Sequence, residues 1–401
     1  MKILILSHRV PFPQNGGYAI VVANTIKGLV NTGHDVSLVA LNAKRNNHES
    51  QLPDEDLMGK INYRAYDIDT TVTILGVAVN LFRKTSFNVD RYYDPEFETL
   101  LIRELRNNDY DIIQFEGLFV SLYLPAVRKH SKAKLIYRAH NIENQIWWRL
   151  SQQKIDPFKK SYLRMHARRI KSYEQQKLNK FDAIAVFTGQ DKSTLQEYGI
   201  NVPIEIFPVG LRLEKYVVDI RKTEFPSLFF LGSLDWLPNR EGVEWFLDNF
   251  IKDLTDGDLP VKLYIAGNDI PERFDDYEAL GKVFIQGEVD NALEFVNSKS
   301  IMIVPLLSGG GMRVKIVEGM AMQKCIISTS LGAEGINFKN GHDIMIANNR
   351  EEFFDAIHRC ITDEELCIQL GKNARLLAEK EHDINGVTKN LVKFYKACCK
   401  G

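Results

Sequence analysis

The feature that most constrains this chain is an alternation, run through twice, of short apolar stretches with longer amphipathic ones. Residues 3–6, 36–41, 111–115, 134–137 and 183–187 are near-continuous apolar runs. Such runs mark strands buried on both faces of a parallel sheet. The intervening stretches 19–31, 95–107 and 190–198 carry helical periodicity. The pattern then restarts, with strand-like runs at 228–231, 261–266, 283–285, 301–305 and 325–328, and helical stretches at 239–250, 292–297 and 312–322. Two successive runs of this kind predict two doubly wound α/β domains. The boundary is predicted within 208–226, where Pro208, Gly210 and Pro226 flank a charged stretch. The expected domains are 1–210 and 211–384. The tail from Glu351 reads as helical with a break at 383–386, and its last helix, about 385–401, is expected to pack back on the first domain.

Length agrees, since 401 residues at roughly 150 per domain gives two to three domains. Charge excludes more. Acids number 52 and Lys plus Arg 51, for a net charge of −1, which disfavours a globally basic nucleic-acid binder and an acidic disordered chain. The five cysteines, Cys325, Cys360, Cys367, Cys398 and Cys399, show no zinc-ligand spacing, and an odd count with one adjacent pair is not a disulfide framework. A reducing, cytoplasmic compartment is expected. The N-terminal apolar run is too short for a signal peptide. The apolar stretch 72–82 is too short to span a bilayer, which needs about 20 residues.

Chemistry concentrates in residues 305–321, Pro-Leu-Leu-Ser-Gly-Gly-Gly-Met-Arg-Val-Lys-Ile-Val-Glu-Gly-Met-Ala. A strand ends at Pro305, Gly309, Gly310 and Gly311 follow, and a helix is expected from about Met312. Glycines let a backbone approach a ligand closely. A helix N-terminus offers free N–H groups and a positive dipole end to an anion. Arg313 and Lys315 add two cations in the expected first turn, where they oppose the dipole unless an anion is present. Glu318, three residues after Lys315, shares its face and is suited to accept hydrogen bonds from ribose hydroxyls. The same residues also fit a glycine-rich turn with a solvated ion pair. They match neither the dinucleotide glycine pattern nor a Walker loop.

This block resembles the donor-binding signature of the retaining glycosyltransferases of the GT-B fold, in glycosyltransferase family four. Four further segments resemble that family: 11–17 (Pro-Phe-Pro-Gln-Asn-Gly-Gly), 138–143 (Arg-Ala-His-Asn-Ile-Glu), 232–239 (Gly-Ser-Leu-Asp-Trp-Leu-Pro-Asn) and 328–336. The resemblance covers nearly the whole chain. It implies two Rossmann-like domains facing each other across a cleft, the first receiving the acceptor and the second the nucleotide-sugar donor. Two departures stand out. The family often carries a second glutamate eight positions before the one matched by Glu318, and Gly310 stands there. Backbone N–H groups of 309–312 are expected to substitute. Many relatives also carry an Arg and a Lys after the first strand of the second domain. Here Ser233 follows Gly232 and no Lys is in register, so Arg313 and Lys315 are expected to carry the diphosphate.

In the first domain, Gly16 and Gly17 read either as an ordinary strand-to-helix turn or as a loop approached by acceptor or phosphate. His140 is expected to end a strand beginning near Lys134, and the resemblance implies that it hydrogen-bonds the donor sugar. Glu116, after the strand 111–115, reads as an acceptor contact or a loop residue. Segment 149–180 holds ten Lys or Arg against Asp156 and Glu174, a net charge of +8. A long helix is expected from Pro157, with Phe158, Tyr162, Met165 and Tyr173 on one face and Lys160, Arg164, Arg168 and Lys171 on another. That helix reads as a solvated face or as a contact for an anionic membrane or polyanionic acceptor.

The resulting expectation is a hexosyltransferase of polysaccharide biosynthesis. It would move a hexose-type sugar from a nucleotide diphosphate sugar to a glycan or lipid-linked acceptor, with retention. His140, Arg313, Lys315 and Glu318 are the expected catalytic residues. No carboxylate pair has convincing nucleophile and acid spacing, which fits a front-face reaction. With two cations and a helix end already expected at the diphosphate, neither metal nor cofactor is expected. The alternatives are another GT-B enzyme, an epimerase or phosphorylase, or a catalytically silent nucleotide-sugar-binding partner.

Overall fold

The computed structural model describes residues 1–14, 16–43, 53, 56–71, 86–152 and 156–400. The apolar stretch 72–82, Asn15 of the first glycine segment and Lys154 lie outside them. The chain divides into two compact units, Met1–Gly210 with Ile384–Gly401, and Leu211–Asp383.

The first unit is built on a seven-stranded parallel sheet. Its strands are β1 (Lys2–Ser7), β2 (Asp35–Ala43), β3 (Asn62–Ile68), β4 (Ile112–Glu116), β5 (Lys134–Arg138), β6 (Ala183–Val186) and β7 (Ile204–Ile206), in the order β3-β2-β1-β4-β5-β6-β7. The five interior strands coincide with the apolar runs. The two edge strands carry no such run, because an edge needs burial on fewer sides: most of β3 and two of the three residues of β7 are exposed or half-exposed. Winding reverses between β1 and β4, where Ser7 lies opposite Glu116. Glu116 in turn pairs with Arg138 on β5.

The last helix, Ile384–Lys400, belongs to this unit. Its Leu391, Val392 and Tyr395 join Ile3, Ile5, Val22 and Ile26 in one buried cluster. Helix Pro157–Leu178 begins where Asp156 accepts hydrogen bonds from the N–H groups of Phe158 and Lys159, at 2.9 and 3.1 Å. The buried face of this helix differs from the expected aromatic one. Leu163, His166, Ala167, Ile170, Glu174 and Leu178 face inward, while Phe158 is 87 % exposed. The aliphatic positions recur every three to four residues over four turns. The aromatics cannot all follow that stripe, and Tyr162 and Tyr173, like Met165, are half-buried.

The second unit carries β8 (Glu224–Leu231), β9 (Lys262–Ala266), β10 (Val283–Gly287), β11 (Lys299–Val304), β12 (Cys325–Ser328) and β13 (Met345–Ile346). All are parallel, in the order β10-β9-β8-β11-β12-β13. Winding reverses between β8 and β11. Helix Leu237–Asp256 buries Phe246, Leu247, Phe250 and Leu254 against the sheet. The tail is broken once more than expected. Asp363 ends helix Arg350–Thr362 and caps helix Glu364–Glu381, accepting from the Leu366 N–H at 2.9 Å. Among the described residues, no helix is long and apolar enough to cross a membrane.

Leu391→Ala should destabilise the first unit by about 2–5 kcal/mol, the usual cost of a truncated core leucine. Leu376→Ala, at a position 63 % exposed on helix Glu364–Glu381, should change stability by no more than about 0.5 kcal/mol. Urea unfolding of each variant measures both.

Candidate functional site

The residues singled out from the sequence fall into two groups, one at the carboxyl edge of each sheet where the winding reverses. Ligands of open α/β sheets bind at such points.

In the second unit the loop after β11 is held open by its own side chains. Gly309 and Gly311 have φ of +105° and +76°, in the region that favours glycine. A Cβ on Gly309 would also lie 3.0 Å from Arg313 Nη2 and 3.2 Å from the Trp236 ring. Arg313 is 5 % exposed. Its Nη1 donates to the Gly311 carbonyl at 2.6 Å and also to that of Gly310, and its guanidinium lies 5.4 Å from the centroid of the Trp236 ring. Ser308 donates to Glu241 at 2.8 Å on the other side of the loop. The helix starts two residues later than expected, at Val314, with Arg313 as its extended cap residue. The guanidinium is thus engaged with loop carbonyls rather than lying in a helical first turn. Met312 is buried beside it.

Lys315 and Glu318 share one face of helix Val314–Ala321. Lys315 Nζ donates to Asn239 Oδ1 at 2.8 Å, and Asn239 Nδ2 donates to the Ser233 carbonyl at 2.7 Å. The ammonium sits 4.2 Å from the centroid of the Phe230 ring and 2.6 Å from where a Cβ on Gly232 would stand. Position 232 is therefore open because lysine reaches into it. Ser233 itself donates to Asp235 at 2.7 Å. Burial lowers the Lys315 ammonium to about 7; Arg313 lowers it further and Glu318 opposes the shift. Burial raises the Glu318 carboxyl to about 7, against the lowering effect of the Tyr216 hydroxyl and the Lys315 charge. Tyr216 donates to Glu318 Oε1 at 3.0 Å. Arg375 holds the Tyr216 carbonyl at 3.2 Å.

In the first unit Gly16 caps helix Gly17–Asn31 with φ +95°. Tyr18, one residue into that helix, reaches the edge of the sheet. Its hydroxyl shares a 2.7 Å hydrogen bond with Ser7 and donates to the Glu116 carbonyl at 3.3 Å. His8 Nδ1 lies 3.0 Å from that same carbonyl, and burial lowers its imidazole to about 4. His140, two residues beyond β5, places Nε2 2.6 Å from Glu116 Oε2. Burial alone would raise the Glu116 carboxyl. The hydrogen bond and charge of His140, the Arg138 guanidinium and Gln114 outweigh it and hold the group below its ordinary value. The segment after His140 is anchored from helix Pro157–Leu178: Glu174 accepts from the Glu143 N–H at 2.8 Å and from Asn144 Nδ2.

Glu116 is therefore present at the site but inside it, with 0 % exposure. Trp236, Asn239 and Arg138 lie within segments already singled out, next to residues chosen from them. Tyr216, Tyr18, His8 and Gln114 carried no sequence signal of their own. Among the described residues, no group of three or more His, Cys, Asp or Glu could hold a metal ion.

Comparison with known proteins agrees with the two-sheet fold. Residues 15–215 match the family described as Glycosyltransferase Family 4, and residues 225–363 match Glycosyl transferases group 1. With two parallel-sheet Rossmann-like units, these matches define a glycosyltransferase of the GT-B fold. The chain belongs to glycosyltransferase family 4. Sucrose-phosphate synthase from Thermosynechococcus elongatus is similar in fold, with a TM-score of 0.74 and 13 % identity over 99 % of both chains. A glycosyltransferase from Rickettsia africae gives 0.69 and 14 % identity over 100 % of this chain and 99 % of that one. Anabaena HepE, solved in complex with UDP, gives 0.67 and 12 % identity over 99 % and 100 %. An uncharacterised 44.6 kDa protein of the Klebsiella pneumoniae cps region is 23 % identical over 402 residues, covering 98 % of this chain and 99 % of that protein.

Tyr216→Phe removes a hydroxyl that lowers the Glu318 carboxyl. Glu318 should then titrate further above 7, read from the carboxyl ¹³C shift against pH. An unmoved midpoint would show that the hydroxyl does not set the carboxylate's state.

Proposed function

We propose that the chain transfers a hexose-type sugar from a nucleotide diphosphate sugar to a hydroxyl of a glycan or lipid-linked acceptor, with retention and without a metal. The observation that carries this reading is the pairing of Lys315 and Glu318 on one helical face, beside Gly232 and the 309–312 loop. An ammonium next to open backbone suits a diphosphate, and a carboxylate one turn on suits the ribose hydroxyls. Arg313 supports the site mainly by shaping the loop and adding positive potential. Similar structures agree in chemistry: HepE was solved with UDP and with UDP-glucose, and an Escherichia coli protein with UDP-2-fluoro glucose.

In this reading the anomeric carbon–phosphate oxygen bond breaks as the acceptor oxygen attacks the same face. The acceptor proton passes to the departing diphosphate. The protein stabilises the charge that develops there. His140 hydrogen-bonds the donor sugar, and Gly16 and Gly17 border the acceptor or phosphate. Contact of helix Pro157–Leu178 with an anionic lipid surface belongs to the same proposal, supported by its basic charge and by Phe158 exposed at its first turn.

The direct test is a panel of UDP-, GDP- and ADP-sugars with release of free nucleotide measured. Lys315→Ala should lose about 2–4 kcal/mol of transition-state stabilisation in kcat/KM. Glu318→Gln should weaken binding of UDP, read by calorimetry. Wild-type UDP affinity should peak near pH 7, because Glu318 must be ionised and Lys315 protonated, and both titrate at about 7. Glu318→Gln should flatten the acid limb and Lys315→Ala the alkaline one. Turnover should persist in excess EDTA, and complete loss restored by Mg²⁺ or Mn²⁺ would contradict metal independence.

A further inference from the structure

His140 is held on several sides. The rings of Tyr18 and Phe187 stand 4.4 and 5.4 Å from its centroid, and its side chain is 10 % exposed. Behind it runs a chain of hydrogen bonds. Glu116 Oε2 meets His140 Nε2 at 2.6 Å, and Glu116 Oε1 accepts from Gln114 Nε2 at 2.5 Å. Gln114 Oε1 accepts from the hydroxyl of Tyr395 on the C-terminal helix. Arg138, 2 % exposed and 4.5 Å from the centroid of the Phe187 ring, supplies a permanent cation beside the carboxylate.

The direction of this chain is forced by donor chemistry. An ionised carboxylate only accepts. The Gln114 amide must therefore present its NH₂ to Glu116 and its oxygen to Tyr395. For the same reason the ring nitrogen facing Glu116 must carry a proton. A buried carboxylate with 0 % exposure has no surface from which to meet an acceptor hydroxyl.

We propose that Glu116 is a positioning residue that holds His140 in its Nε2-protonated form and in one ring plane, with Gln114 and Tyr395 fixing the carboxylate from behind. Its consequence for turnover rests on the reading of His140 as a contact to the donor sugar. Glutamate is required in particular because glutamine lets the chain of donors run in either direction, so the ring proton is no longer assigned to one nitrogen.

The test is ¹⁵N spectroscopy of histidine-labelled full-length protein at alkaline pH, with His140 assigned by its loss in His140→Ala. Wild type should show one neutral tautomer, protonated at Nε2. An Nδ1-protonated ring in wild type overturns the proposal without any variant having to fold. Glu116→Gln should show both tautomers. Its kcat, with the sugar nucleotide turned over in the donor panel, should fall about 10–100-fold, as for other partners that orient a functional histidine. UDP affinity should stay within about twofold. Glu116→Gln should add nothing to His140→Ala, since it acts through that ring. A single Nε2-protonated signal in Glu116→Gln, or a full further loss in the double variant, overturns the proposal. If His140→Ala turns over like wild type, the reading of His140 fails, and the nitrogen shifts still decide whether Glu116 orients the ring.

Discussion

Parallel strand pairing with one reversal of winding in each sheet is the constraint on which the rest of this molecule depends. Parallel strands require crossover helices on both faces, so every strand points its carboxyl end the same way. Where the winding reverses, the helices leaving neighbouring strands go to opposite faces and the sheet edge stays open. In the first unit this happens between β1 and β4, and Ser7, Glu116 and Arg138 stand side by side there. In the second it happens between β8 and β11, which sets the 232–239 segment beside the 305–313 loop. Residues far apart in the chain meet at these edges for topological reasons, before any side chain is specified.

The two edges handle buried charge differently. At Glu116 compensation outweighs burial: His140 and Gln114 hydrogen-bond the carboxylate, the Arg138 charge lies beside it, and the group stays below its ordinary value. At Lys315 and Glu318 compensation is partial. Each group is shifted by burial to about 7, the lysine down and the glutamate up. The first edge thus closes its charge within the unit, while the second leaves two buried groups titrating at about 7.

Arg313 shows that a cation beside a glycine loop can be engaged by the loop itself. Its place beside a glycine loop suggested a cation aimed at a ligand. In the fold it donates to the Gly310 and Gly311 carbonyls and lies over Trp236. A loop that keeps positive φ at two of three glycines turns carbonyls toward its own side chains, and a planar five-donor group answers that geometry better than an ammonium.

Much of the architecture was legible in the residue order. Interior strands must be continuously apolar and crossover helices amphipathic, so the interior strands of both sheets could be read directly. That Lys315 and Glu318 share a helix face follows from local spacing alone, since residues three apart are neighbours on a helix. Edge strands β3 and β7 were not legible, since partial exposure removes the apolar signature, and β13, only two residues long, is too short a run to register. Nor was the inward face of helix Pro157–Leu178, because several stripes of similar character compete until the neighbouring elements choose one. Tertiary structure alone brought Tyr216 to Glu318 across 102 residues and Tyr395 to Gln114 across 281. No periodicity encodes such pairings. They exist because burying a charged or amide group requires a partner, and only the packed fold determines which distant side chain supplies it.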